Sequence, residues 1–244
     1  MRKDSEVYLL EAKDSNAVEH RMGCPDWDKM PVWAQAFIDS LLTSVKIRDR
    51  YTYGHLCRVG IRSGELAREL NLDRSLQLAC QYAGLLHDVG KIGIPDEVLL
   101  YPGRLSDHGH QVMKGHVGLG MKLISPLKQA LFFKDVLPGV KHHHERVDGK
   151  GYPVGLTGEQ IPLVARVVAV ADAVDAMTTA RVYRSAKRME FAVDEVKRCS
   201  GTQFDPEVAR AFLSLIHKQK PEKGYQEDQD LEVASPFESL EKAA

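Results

Sequence analysis

His143-His144-Glu145-Arg146-Val147-Asp148-Gly149-Lys150-Gly151-Tyr152-Pro153 is the stretch on which the reading of this chain turns. Two adjacent imidazoles precede a turn in which glycines permit backbone conformations closed to other residues and a proline fixes the exit. Upstream stands Leu86-His87-Asp88-Val89-Gly90-Lys91-Ile92-Gly93-Ile94-Pro95, an adjacent His-Asp pair with a lysine three residues on. Downstream stands Ala171-Asp172-Ala173-Val174-Asp175-Ala176-Met177, followed by Arg181 and Arg184. Imidazole and carboxylate ligands in one set suit a first-row divalent ion. Together with a cationic clamp they suit metal-assisted hydrolysis of a phosphate ester.

The sequence around these motifs is helical. Phe37, Ile38, Leu41, Leu42 and Val45 recur at three-to-four spacing. A second run spans about 55–70, and Asp73 caps a third that ends at His87-Asp88, where Gly90, Gly93 and Pro95 break it. Ser106 caps a fourth, read as one helix through Val112, His116, Leu119 and Leu123. Pro138-Gly139 is read as preceding the short segment that bears the histidines. Pro162 opens an apolar helix to about Ala176. Two more helices follow, Phe191 to Cys199 and Pro206 to Ile216, the last after a capping Asp205. No run alternates with period two for long enough to propose a sheet. The expected fold is all-α: a helical domain over 31–217, an N-terminal extension, 1–30, and a polar acidic tail, 218–244.

Composition narrows the function classes. A chain of 244 residues with 43% hydrophobic residues can bury a sizeable core. Its formal net charge of -1 gives no global field for nucleic acid or membrane, so an anionic ligand must be held by local charge. Cys24, Cys57, Cys80 and Cys199 form no close pair, which argues against a thiolate zinc site or a disulfide framework. No apolar run reaches the ~18 residues of a membrane span. The expectation is a cytoplasmic protein without DNA or membrane partners.

His55, His87-Asp88 and Asp172 resemble the ordered ligands of the HD phosphohydrolase superfamily. The stretch 143–153, with Ile161-Pro162-Leu163, residues 172–184 and Gly201-Thr202-Gln203-Phe204-Asp205-Pro206, resembles the HD-GYP family. The resemblance covers about 45–217. It implies an all-helical, metal-dependent bacterial phosphodiesterase that hydrolyses cyclic di-GMP. Carried over residue by residue, it implies that His55, His87, Asp88 and Asp172 hold one metal. Asp88 bridges to a second, completed by His116, His143 and His144, with a hydroxide between the ions. The metals implied are iron or manganese. Family members with three metals carry a glutamate four residues before the first histidine; here that position is Tyr51. A phenol with a pKa near 10 is a poor ligand, so two metals and linear pGpG as the main product are expected.

Lys91 is implied as the group that binds a phosphate oxygen, although from its residues alone it reads equally well as a solvated helix-end lysine. Arg181 and Arg184 suit the second phosphate, or surface salt bridges. Tyr152 either stacks on a guanine or packs its loop, and the Gly151-Tyr152-Pro153 loop is a contact for diguanylate cyclase domains in the family. Glu145 and Arg146 are expected to support the histidine pair, Asp175 to orient a neighbour, and His142 to stand beside the site. His108 and His110 match no ligand position. Alternatives are another cyclic dinucleotide such as 3',3'-cyclic GMP-AMP, or a non-catalytic sensor or docking module. A homodimer through the Phe37–Val45 helix competes with a core role for that helix, which is preferred. Lower cyclic di-GMP would favour motility over biofilm.

Overall fold

Aspartates and a serine set the helix starts. Asp49 accepts the backbone N–H of Tyr51 and opens a helix, Arg50–Glu69 (α2). It follows a first helix, Val32–Arg48 (α1), with a one-residue break. Asp73 accepts from Leu76 to open Arg74–Leu86 (α3). A 3-10 turn, Val89–Gly93, and a short helix, Asp96–Leu99 (α4), follow. Ser106 accepts from Gly109 to open Asp107–Lys114 (α5), and His116–Leu123 (α6) comes next. Then come Val136–His142 (α7), Leu163–Thr178 (α8), Met189–Cys199 (α9) and Pro206–Gln219 (α10). Each cap satisfies a helix-start N–H that has no partner within its own helix.

The structure is a computed structural model that describes residues 30–180 and 186–219. Among them there are no strands, only the isolated bridges Asp148–Thr157 and Ser200–Phe204. The all-helical expectation holds, with three local corrections. The fourth predicted helix is two, because Gly115 bonds back to Val112 in a three-residue turn and tightens the chain there. Pro138 lies inside α7 rather than before it. It is the third residue of that helix, where a missing N–H leaves no gap. The second helix begins at Arg50, not near His55, so His55 sits in mid-helix. Arg181 and Arg184, residues 1–29 and the tail from 220 lie outside the described residues.

α2, α3 and α8 pack on one another, α7 packs on α3 and α8, and together they carry the core. Leu56, Val59 and Leu66 on α2, Leu85 and Leu86 on α3, and Val167, Val168 and Val174 on α8 are all buried. α2 and α3 approach closely because two glycines face each other. A Cβ on Gly84 would stand 2.8 Å from Gly60 Cα and 2.9 Å from Val59 O. That close crossing brings His55, in mid-α2, beside His87 at the end of α3. No helix among the described residues is long and apolar enough to cross a membrane.

Candidate metal centre

Seven side chains from six elements converge here. Asp88 lies between two histidine sets. Its Oδ2 is 3.5 Å from His55 Nε2 and 3.3 Å from His87 Nε2, while its Oδ1 is 3.1 Å from His116 Nε2. Asp172 Oδ1 reaches His55 Nε2 at 3.2 Å and His87 Nε2 at 3.9 Å. His143 and His144 pack against each other with ring centroids 4.0 Å apart, and His116 lies 5.1 Å from His144. One ligand atom from each of Asp88, His116, His143 and His144 lies within 4.8 Å of the others, and the same is true of His55, His87 and Asp88. Asp88 is common to both groups. The sequence-predicted ligands therefore meet, including His116, whose helical context offered no local signal.

Three of the histidines are oriented by one device. Nδ1 of His87 meets Gly84 O, Nδ1 of His116 meets Met113 O, and Nδ1 of His143 meets Val140 O, each at 2.7 Å. A carbonyl can only accept, so Nδ1 carries the proton and Nε2 keeps its lone pair toward the centre. His55 has Asp175 instead, at 2.7 Å from Nδ1. Arg58 grips the same carboxylate at 2.7 and 3.1 Å. Asp175 thus does orient a neighbour, and Arg58, which the sequence reading missed, braces it.

The charge pattern suits a cation. Burial disfavours the Asp88 carboxylate, but Lys91, His87 and His116 outweigh it and hold the group well below the usual range. Asp172 is likewise lowered against its burial by the hydrogen bond with His55. Burial lowers His143 well below its ordinary value, helped by His144, and lowers His144 to about 4. Burial opposes protonation of His55, but hydrogen bonds to Asp172 and Asp175 raise it well above normal. The carboxylate end draws positive charge and the histidine end keeps lone pairs free, as metal binding requires. Asp88 Oδ1, His116 Nε2 and His143 Nε2 are buried without a hydrogen-bond partner among the described residues. Orphaned acceptors converging on one point fit a divalent ion.

Lys91 donates to Asp88 Oδ2 and keeps a partly exposed side chain at the edge of the centre. Tyr51 lies half-buried one turn before His55. Tyr152 stacks on His144, with centroids 4.6 Å apart and planes at 24°, and the Lys114 ammonium lies 5.1 Å from its ring centre. Burial raises the Tyr152 phenol, so it stays protonated. His142 faces Glu145 at 3.5 Å and belongs to neither ligand group. His108 and His110 are exposed on α5. The support expected of Glu145 and Arg146 for the histidine pair is corrected. Glu145 accepts the backbone N–H groups of Val154, Gly155 and Leu156 at 2.8–3.2 Å and so ties down the 151–156 loop. Arg146 pairs with Asp148 at 3.0 and 2.7 Å and donates to Gln203 at 2.9 Å.

The chain matches the HD domain family model over residues 43–208. It is 41% identical over 168 residues to a protein of Thermotoga maritima named cyclic di-GMP phosphodiesterase, covering 69% of this chain and 45% of that one. It is 40% identical over 176 residues to the cyclic di-GMP phosphodiesterase response regulator RpfG of Xanthomonas campestris, covering 72% and 46%. A 3'3'-cGAMP-specific phosphodiesterase 3 of Vibrio cholerae is 31% identical over 186 residues, covering 75% and 40%. The chain spans about half the length of these curated relatives, or less. A solved cyclic GMP-AMP-specific phosphodiesterase of V. cholerae shares the fold with a TM-score of 0.55 at 19% identity, over 76% of this chain and 49% of that one. Bd1817, an HDG"Y"P protein from Bdellovibrio bacteriovorus, does so with 0.54 at 19%, over 67% and 51%. With the HD domain model spanning most of it, this chain belongs to the HD domain family.

Proposed function

We propose that this chain is a metal-dependent phosphodiesterase that opens cyclic di-GMP, chiefly to linear pGpG. The observation that carries the reading is Asp88, whose two oxygens face two separate histidine sets. His55, His87, Asp88 and Asp172 would hold one ion, and Asp88, His116, His143 and His144 a second. The mixed nitrogen and oxygen donors suit iron or manganese. Such ions supply Lewis acidity toward a phosphoryl oxygen and lower the pKa of water toward neutrality. The chain's own residues do the rest. Lys91 can swing its ammonium from Asp88 to a phosphate oxygen and offset charge that develops as the P–O3' bond breaks. The buried histidines keep bulk water from the ligand set. Arg181 and Arg184 would take the second phosphate. Tyr51, where three-metal relatives of this pattern have a glutamate, limits the centre to two ions and the reaction to its first cleavage.

A second reading, 3',3'-cyclic GMP-AMP as substrate, is favoured by the likeness to the V. cholerae phosphodiesterase named for that ring. The test is anaerobic purification with metal analysis, then chromatography after incubation with each dinucleotide. About two metals per chain and accumulating pGpG are expected. GMP as the main product would refute the Tyr51 argument. Bound metal with intact cyclic di-GMP would refute the substrate and leave cyclic GMP-AMP or a sensor role. Asp88→Ala should abolish turnover; hydrolysis retained by that variant would sink the bridge.

A further inference from the structure

A cavity of about 330 Å³ adjoins the candidate metal centre, sharing His143, His144 and Asp172 with it and lined also by Lys114, Lys150, Tyr152 and Gln203. That volume is at the low end of the roughly 300–1,000 Å³ typical of small-molecule sites, so it takes one nucleotide-sized part of a ligand. Ala169 and Ala173, one turn apart on α8, line it with methyl groups, and Tyr152 contributes an aromatic wall. The two alanines and the Tyr152 ring give a cavity lined mostly by polar residues one apolar stretch on which a flat base can lie.

The polar groups on those walls are unequal. Glu145, the one carboxylate there besides Asp172, is engaged by three backbone N–H groups. Asp148, outside the lining, is gripped bidentately by Arg146. Arg146 Nη1 also donates to Gln203 Oε1 at 2.9 Å. A guanidinium has donors only, so the carboxamide oxygen must face Arg146 and the N–H2 group must face away. The Gln203 backbone is also fixed, its N–H to Cys199 O at 3.0 Å and its carbonyl accepting from Val147 at 3.4 Å. The side-chain N–H2 is left without a partner among the described residues. Lys114 and Lys150 add two more donors and meet no carboxylate within salt-bridge distance among those residues. The free acceptors of the cavity are those of the ligand set, His143, His144 and Asp172; the Gln203 N–H2 and the two ammonium groups on the other walls are donors.

We infer that this cavity reads guanine, with the Gln203 amide N–H2 donating to the O6/N7 edge of the base, an assignment that rests on the proposed cyclic-dinucleotide function. Guanine presents two acceptors on that edge, whereas adenine presents N7 beside an N6 amino donor. Adenine would offer the N–H2 only N7 and would set its own N6 amino group against donors, leaving that group unpaired. Arg146 is the positioning residue, because it prevents the carboxamide from flipping. The assignment favours two guanines, or the guanine half of a mixed ring, next to the scissile phosphate.

The test is equilibrium binding of GMP and AMP to the manganese-loaded full chain by calorimetry. These probes share ribose and phosphate and have no diester to cleave. Wild type should bind GMP more tightly. Gln203→Glu keeps a partner for Arg146 but turns the donor into an acceptor; it should cut the GMP-over-AMP ratio about ten-fold, the size of one hydrogen bond. Gln203→Met should weaken GMP and leave AMP as it was. Equal weakening of both nucleotides by either variant, or wild type binding them alike, would overturn the inference. A GMP preference lost on substitution, in a chain that leaves cyclic di-GMP intact, would support this pocket while refuting the proposed reaction.

Discussion

Gly151→Ala should separate loop placement from general stability. A Cβ at this position would stand 2.5 Å from Arg146 N, 2.5 Å from Glu145 Cα and 2.6 Å from His144 O. All three are backbone atoms, so no rotamer change relieves the clash. The loop must retreat from residues 144–146, which loosens the 3.2 Å bond from Tyr152 N to His144 O and the Tyr152–His144 stack. Overpacking of this kind costs about 1–3 kcal/mol, and a lost hydrogen bond adds about 1 kcal/mol. A domain of this size then loses about 4–16 °C in Tm. A ~1 Å displacement of the loop, and with it of the Tyr152 ring that stacks on His144, should lower kcat on the order of 100-fold. The matched control is Gly118→Ala in α6, where a Cβ meets nothing within 4 Å. That change should stabilise by about 0.5–1 kcal/mol, since alanine is the better helix former. The assay is thermal unfolding with metal content and phosphodiesterase rate on the same preparations. If Gly151→Ala melts and turns over like wild type, the close approach does not hold the loop.

Two further changes probe the supports of the centre and of the fold. Arg58→Met removes the brace from Asp175, whose carboxyl burial would raise but the His55 and Arg58 hydrogen bonds hold down at about 2. Metal affinity should fall 10–100-fold in a chelator competition; an unchanged affinity would show that Asp175 orients His55 unaided. Asp205 accepts the N–H groups of Glu207 and Val208 at the start of α10 and Arg166 Nη1 at 2.6 Å. Burial raises its carboxyl, but Arg166 and the two N–H groups outweigh that and lower it. Its folded pKa therefore lies below the ~3.9 of an unfolded aspartate, so its stabilisation is present above that value and lost as pH falls through the folded pKa. Asp205→Asn should melt about 6–12 °C below wild type at pH 7, from a ~3 kcal/mol loss at a mostly buried pair. The gap should begin to narrow near pH ~4 and close as pH falls through the folded pKa; a gap independent of pH would refute the ion-pair account.

What the sequence could disclose was whatever lies in local pattern. Apolar spacing located the helices, and Asp73, Ser106 and Asp205 marked starts that the structure keeps. His87-Asp88 and His143-His144 stood out because helix breakers follow them. His116 did not, because its approach to Asp88 depends on Gly90 pressing against α6. A Cβ on Gly90 would lie 1.9 Å from His116 O, a contact between segments some 26 residues apart that no periodicity reveals. Arg58 and Gln203 were missed for the same reason. Each acts through a partner more than 50 residues away in sequence, Asp175 at a separation of 117 and Arg146 at 57. Glu145 was placed near the right loop but given the wrong partner, because its neighbours in sequence are histidines and the groups that hydrogen-bond to it are the backbone amides of residues 154–156.

Why the ligands stand at helix ends follows from hydrogen bonding. The last four carbonyls of a helix have no partner within it. Gly84, Met113 and Val140 are such carbonyls on α3, α5 and α7, and each takes the Nδ1–H of the histidine three residues on. One contact thus satisfies an orphan acceptor, selects the tautomer and aims Nε2 inward. It also gathers three helix C-termini around the ligands, and the partial negative charge there favours a cation. His55 cannot use this device. It lies in mid-α2, where the carbonyl one turn back already serves its own helix, so a carboxylate from α8 must take the Nδ1 proton. That exchange makes His55 the one histidine among the described candidate ligands whose orientation depends on a buried charge, and Asp175 with Arg58 the place where a substitution well outside the ligand set would reach it.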